Sequence, residues 1–163
     1  MVVDDYEPWR HHVCSVLKTQ KEIQVIAQVG DGLEAAQTVQ HLRPNLILLD
    51  IGLPSLNGID AARRILELSP QCKVLFISQE TSIDIVLGAL ATGAAGYIVK
   101  ADARGELLTA LNAVLRGEMY VSTSVADRVF AKASGTGASQ DVSICTEVTA
   151  GPPVRSTREH GTS

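Results

Sequence analysis

Five short apolar stretches punctuate the first hundred residues, and the segments between them carry apolar side chains at helical spacing. The stretches are Met1-Val2-Val3, Ile23 to Val29, Asn45 to Leu49, Lys73 to Ile77 and Gly96 to Val99. The Leu46-Ile47-Leu48-Leu49 run shows no alternation, which marks a strand buried on both faces in a parallel sheet covered by helices. Pro8 suits a first helical position, and Trp9, Val13, Val16 and Leu17 share one face, which predicts helix one from Pro8 to about Thr19. Asp31 is placed to cap a second helix that would bury Leu33, Ala36 and Leu42 and stop before Pro44. Helix three is expected from Gly58 to Leu68. Helix four should follow Ser78-Gln79-Glu80 and end near Gly93, and helix five should run from Ala103 to about Arg116. Five β-α units in succession demand right-handed crossovers, with helices on both faces of one sheet.

The pattern changes after Gly117. Ser122 to Ala133 can form one more amphipathic helix, with Val125, Val129 and Phe130 on a face. Beyond it, Gly, Ser, Thr and Pro dominate with few apolar residues, too few to offset the entropy of ordering. The chain therefore divides into a domain over residues 1–120, an extra helix over 121–133 and a tail over 134–163 expected to lack order.

Charge appears where the strands end. Asp4 and Asp5 follow the first stretch, Asp50 the third, and Lys100 the fifth, while the fourth ends at Ser78. In an open parallel sheet these C-terminal ends converge on one crevice. Three carboxylates within a few Å repel one another unless a divalent cation sits among them, and hard oxygen ligands suit Mg²⁺. A nucleophilic carboxylate, a metal nest, a hydroxyl and an ammonium are together what a transferred phosphoryl group requires.

Val2-Val3-Asp4-Asp5, Leu48-Leu49-Asp50-Ile51-Gly52-Leu53-Pro54 with Asn57-Gly58, Phe76-Ile77-Ser78, and Gly93-Ala94-Ala95-Gly96-Tyr97-Ile98-Val99-Lys100 resemble the signature blocks of response-regulator receiver domains. The likeness is strongest to the NarL/FixJ (LuxR-type) branch and covers about residues 1–120. It implies an α/β, flavodoxin-like (βα)5 fold with a doubly wound, five-stranded parallel sheet in the order 2-1-3-4-5. It also implies roles. Asp50 would take a phosphoryl group from a phosphohistidine on a sensor histidine kinase or histidine phosphotransfer protein. Asp4, Asp5, Asp50 and the Gly52 backbone carbonyl would hold Mg²⁺, with Lys100 and Ser78 on the phosphoryl oxygens. Ser78 and Tyr97 would form the switch, with Tyr97 rotating inward on phosphorylation. The resemblance also opens two self-association faces: helix four, strand five and helix five, or helices one and five.

Three departures from the family pattern stand out. Only Met1-Val2-Val3 precedes the acidic pair, Gln79 follows Ser78 where a small residue is usual, and Ala101 stands where proline often follows the lysine. Two rival readings compete with a phosphorylated receiver. A pseudo-receiver would signal without phosphate, with Gln79 narrowing access to Asp50. A haloacid-dehalogenase-type phosphatase would need a second aspartate two residues beyond Asp50, where Gly52 stands.

Composition sets the remaining limits. The 163 residues are 45% hydrophobic, with 14 Lys and Arg against 18 Asp and Glu for a formal charge of −4. That balance does not suggest direct DNA binding, and no helical periodicity or basic face follows Ser134 to suggest a helix-turn-helix. Cys14, Cys72 and Cys145 are odd in number and lack CxxC spacing, as expected of reduced cytoplasmic thiols. No run approaches the roughly 20 apolar residues of a membrane span. His11, His12 and His41 fall on helices and read as solvated.

Overall fold

A computed structural model describes residues 1–135. Six parallel strands form one sheet in the order β2-β1-β3-β4-β5-β6. They are β1 Val2–Val3, β2 Gln28–Val29, β3 Leu46–Leu49, β4 Lys73–Ser78, β5 Gly96–Val99 and β6 Tyr120–Val121. The helices are α1 Glu7–Lys18, α2 Gly32–Leu42, α3 Gly58–Leu68, α4 Ile83–Leu90, α5 Ala103–Leu115 and α6 Thr123–Ser134. The expected parallel α/β architecture and its 2-1-3-4-5 order are present. The sixth strand extends it beyond the five expected, pairing Gly96 with Tyr120 and Tyr97 with Val121.

Alternate strand residues face opposite ways and build two cores. Val3, Ile47, Leu49, Val74, Phe76, Tyr97 and Val99 point to the side covered by α2, α3, α4 and α6. Val2, Leu48, Leu75, Ile77 and Ile98 point to α1 and α5. The continuous Leu-Ile-Leu-Leu run reflects this double burial, since Ile47, Leu48 and Leu49 are each no more than 2% exposed.

The second strand is shorter than its sequence suggests. Burial alternates from Ile23 to Val29 as in a strand, yet only Gln28 and Val29 enter the ladder. β1 offers just Val2 and Val3 as partners, and the Met1 ammonium already donates to the Leu46 carbonyl at 2.9 Å.

Helix α2 corrects another expectation. Asp31 does cap it, accepting from the Leu33 and Glu34 N–H groups at 2.8 and 3.0 Å. Ala36 is buried as expected, but Leu33 and Leu42 are 39% and 46% exposed, and Gly32, Ala35 and Val39 take the inward face with Ala36. The reason is close approach, because a β-carbon on Gly32 would lie 1.9 Å from the Leu56 carbonyl oxygen. Only a small-residue face fits against the loop that follows β3.

The extra helix is part of the same body. Ser122, fully buried, donates its N–H to the Tyr97 carbonyl at 2.9 Å and accepts from the Val99 N–H at 2.9 Å. Val125, Ala126 and Val129 then bury against the α4 side, and Lys132 pairs with Asp84 of α4. Residues 136–163, which include most of the expected tail, lie outside the described residues.

Candidate functional site

Strand register assembles the site. Val3 pairs with Leu49, so Asp4 and Asp50 leave the sheet side by side, and Ser78 pairs with Val99, which brings Lys100 to the same edge. Backbone bonds fix the exits: Asp4 N–H to Val29 O at 3.0 Å, Asp50 N–H to Val3 O at 3.0 Å, and Lys100 N–H to Ser78 O at 2.8 Å.

Asp4, Asp5 and Asp50 each bring one carboxylate oxygen within 4.8 Å of the others. Asp4 and Asp50 are 2% and 7% exposed, whereas Asp5 is open to solvent. Lys100 enters the nest with its Nζ 2.7 Å from Asp4 Oδ2 and 3.3 Å from Asp50 Oδ2. The remaining oxygens are held by backbone, Asp4 Oδ1 by the Tyr6 N–H at 2.9 Å and Asp50 Oδ1 by the Ile51 N–H at 2.8 Å. Burial raises the Asp50 pKa above the usual carboxylate range and the Asp4 charge pushes the same way, while Lys100 opposes both. An oxygen-only set with one open member fits a hard divalent cation.

The loop after Asp50 is pinned close to it. Gly58 N–H bonds to Ile51 O at 2.8 Å, and a β-carbon on Gly58 would fall 2.0 Å from the Asp50 carbonyl oxygen. Asn57 caps α3 by accepting from the Asp60 N–H at 3.0 Å. Gly52 sits exposed in this loop two residues beyond Asp50.

Ser78, 2% exposed, accepts from the Glu80 N–H at 3.2 Å. Tyr97 is fully buried beside Phe76, with its hydroxyl donating to the Glu80 carbonyl at 2.8 Å. Burial pushes its phenol up to about 12. Both residues thus grip one backbone segment, the turn between β4 and α4, and the tyrosine already points inward. The Lys100–Ala101 peptide is trans.

Three neighbours were not legible as site residues. Arg10 Nη1 donates to the Asp4 carbonyl at 2.6 Å. The Trp9 ring lies under Lys100, 5.5 Å from Nζ to its centroid, and Tyr6 is 63% exposed at the site's edge. In sequence Trp9 showed only a helical core face; its relation to Lys100 depends on how α1 rotates against β5. His11, His12 and His41 are exposed as expected, although Glu7 does lie 3.7 Å from His11.

The sequence profile of the response regulator receiver domain matches residues 1–112. The chain belongs to the response-regulator receiver family. Among its relatives are the transcriptional regulatory protein DegU of Brevibacillus brevis and the DNA-binding transcriptional activator DevR/DosR of Mycobacterium tuberculosis. DegU is 33% identical over 77% of this chain and 53% of its own length. DevR/DosR is 34% identical over 86% of this chain and 64% of its own. The receiver chain thus spans between about half and two thirds of the length of these curated relatives.

Solved structures agree on the fold. A LuxR-family response regulator from Aurantimonas sp. SI85-9A1 superposes with a TM-score of 0.78 at 26% identity, over 82% of this chain and 96% of that one. The signal receiver domain of the putative response regulator NarL from Mycobacterium tuberculosis gives 0.68 at 29% identity, over 72% and 94%. No helix among the described residues of this receiver is long and apolar enough to cross a membrane.

Proposed function

We propose that this receiver accepts a phosphoryl group on Asp50 from the phosphohistidine of a sensor kinase or phosphotransfer protein and passes the signal on through protein contacts. The observation that carries this reading is the nest itself, three carboxylates within 4.8 Å of one another and a lysine bridging two of them. Asp4, Asp5 and Asp50 would hold Mg²⁺, together with the Gly52 carbonyl, and the bound ion would neutralise charge on the phosphoryl oxygens.

The side chains divide the remaining work. The Ile51 N–H fixes Asp50 Oδ1, so the carboxylate is oriented before any donor arrives. Its other oxygen faces the Lys100 ammonium, which is free to exchange a carboxylate for a phosphoryl oxygen as charge develops there. The Ser78 hydroxyl would take another phosphoryl oxygen. Because Tyr97 is already inside, the switch proposed here is the transfer of Ser78 from its present contacts near Tyr97 and Glu80 to the phosphoryl group, which tugs the β4–α4 turn. Of the two self-association faces, the α4–β5–α5 face is partly covered by the chain's own β6 and α6, which favours α1 and α5 for contact with a second copy.

Incubation with acetyl phosphate and Mg²⁺, followed by intact mass, tests the reading. One added phosphoryl group is expected on the parent protein and none on Asp50→Asn. A parent that never gains the mass, at any Mg²⁺ concentration, would favour the pseudo-receiver.

A further inference from the structure

Beside the acidic nest, on the α1 side, lies a cleft of 430 Å³ lined by Tyr6, Trp9, Gln79, Thr81, Lys100 and Ala101 among others. It continues past the same tyrosine, tryptophan and lysine into a 630 Å³ space that reaches His12 and Arg104. Holding a phosphoryl group needs carboxylates, a hydroxyl and an ammonium; it does not need aromatic rings. Yet Tyr6 stands 63% exposed here, and Trp9 keeps part of its ring in the cleft while packing the rest on the α1 core.

We propose that Tyr6 and Trp9 form a subsite for the planar leaving group of the phosphoryl donor, the imidazole of a phosphohistidine. The proposal rests on Asp50 being the phosphoacceptor and adds what recognises the donor's ring. Lys100 belongs to both spaces: it touches Asp4 and Asp50 on one side and lines the cleft on the other. A donor whose phosphoryl group meets Lys100 thus has Tyr6 and Trp9 lining the same cleft within reach of its ring. Arg104 lines the far end of that side with a cation, whereas the charge of Lys100 is engaged by Asp4 and Asp50. Flat rings stack on tryptophan and tyrosine faces with a preference that a small acyl phosphate cannot share.

The transfer itself balances without a further reagent. An Asp50 oxygen bonds to phosphorus as the phosphorus–nitrogen bond breaks. That bond's electron pair stays on the ring nitrogen, and the ring, already protonated at its other nitrogen, leaves as neutral imidazole.

Two small donors separate ring recognition from phosphoryl chemistry. Labelling rates of Asp50 in the full chain with Mg²⁺ are measured with phosphoimidazole and with acetyl phosphate, and their ratio is compared among variants. Trp9→Leu should lower the imidazole-to-acetyl ratio about three- to tenfold, the range expected for one lost aromatic contact, while Trp9→Phe should hold it within about twofold. Tyr6→Ser, at an exposed position outside the core, should lower the ratio in the same direction. An unchanged ratio in Trp9→Leu and Tyr6→Ser would overturn the subsite. So would an equal fall of both rates, since Trp9 would then act through Lys100 and not on the ring. If the parent protein takes phosphate from neither donor, the phosphoacceptor reading fails and the subsite falls with it; labelling by both donors leaves only the subsite at stake.

Discussion

The Lys100 ammonium lies 2.7 Å from the Asp4 carboxylate, closer than the 3.3 Å that separates it from Asp50. The lysine is therefore more than a partner for the proposed phosphoacceptor: it is an internal cation lodged among the groups that would hold a metal. Three carboxyl groups face one ammonium, so a divalent cation entering the nest gains attraction from the acids and meets repulsion from Lys100.

Replacing that cation should strengthen metal binding. Lys100→Met is expected to lower the thermal midpoint without Mg²⁺, because two buried acids lose their partner, and to bind Mg²⁺ about three- to tenfold more tightly than the parent. Titration calorimetry and melting curves with and without Mg²⁺ read both effects. Equal affinities in the two proteins would mean that the ion binds elsewhere.

Asp50→Asn tests the strain in the nest. The folded pKa of Asp50 is raised, so the charged form is the penalised one. Above the folded pKa the native state carries this penalty in full; as pH falls through the folded pKa and then the unfolded value, protonation removes it. The substitution should therefore stabilise the metal-free protein at neutral pH, with the gain shrinking as pH falls through the raised folded pKa and lost below the ordinary carboxylate value near 4. Melting curves from pH 4 to 8 would show it, and a variant less stable at pH 7 would contradict the proposed repulsion.

Ser122→Ala should cost more than any surface pair on α6. Its hydroxyl is the acceptor for the buried Val99 N–H, and removing it strands that donor, a loss of about 1–3 kcal/mol. Asp84→Asn, which removes the exposed pairing with Lys132, should cost about 1 kcal/mol or less. Urea unfolding ranks the two, and hydrogen exchange should show faster exchange in α6 for Ser122→Ala alone.

What the sequence made legible follows from how local each feature is. Asp4, Asp50, Ser78 and Lys100 each come directly after or at the end of an apolar strand, so a parallel sheet alone brings them to one edge. Leu33 and Leu42 were misplaced because hydrophobicity pointed outward-facing leucines to the core, whereas the Gly32 contact with Leu56 selects the smaller Ala35, Ala36 and Val39 face. β6 is two residues long, too short for any period, and depends on Gly96 leaving room for Tyr120, where a β-carbon would stand 2.3 Å from its carbonyl oxygen. Tyr97 was legible as a switch candidate, but its inward position depends on Glu80 and Phe76, which no spacing reveals.

Gly58→Ala links fold to chemistry most directly. The glycine begins α3, and its missing side chain lets the helix end press on the Asp50 backbone: an added β-carbon would stand 2.0 Å from the Asp50 carbonyl oxygen and 2.7 Å from Ile51 Cα. Backbone is the obstacle, so no rotamer change relieves the clash; the loop between Asp50 and Asn57 must move. The same loop carries the Ile51 N–H that orients Asp50 Oδ1 and the exposed residue Gly52. We expect a stability loss of about 2–4 kcal/mol, typical of strain forced into a packed site. Labelling by acetyl phosphate should slow by at least about tenfold in whatever fraction stays folded, because a displacement near 1 Å at a reacting group has that scale of effect. Gly105→Ala, in α5 with open space around its α-carbon, serves as the control and should be neutral or slightly stabilising. Parent-like stability and labelling rate in Gly58→Ala would mean that this loop is free to relax, and that Asp50 is not held by the packing described here.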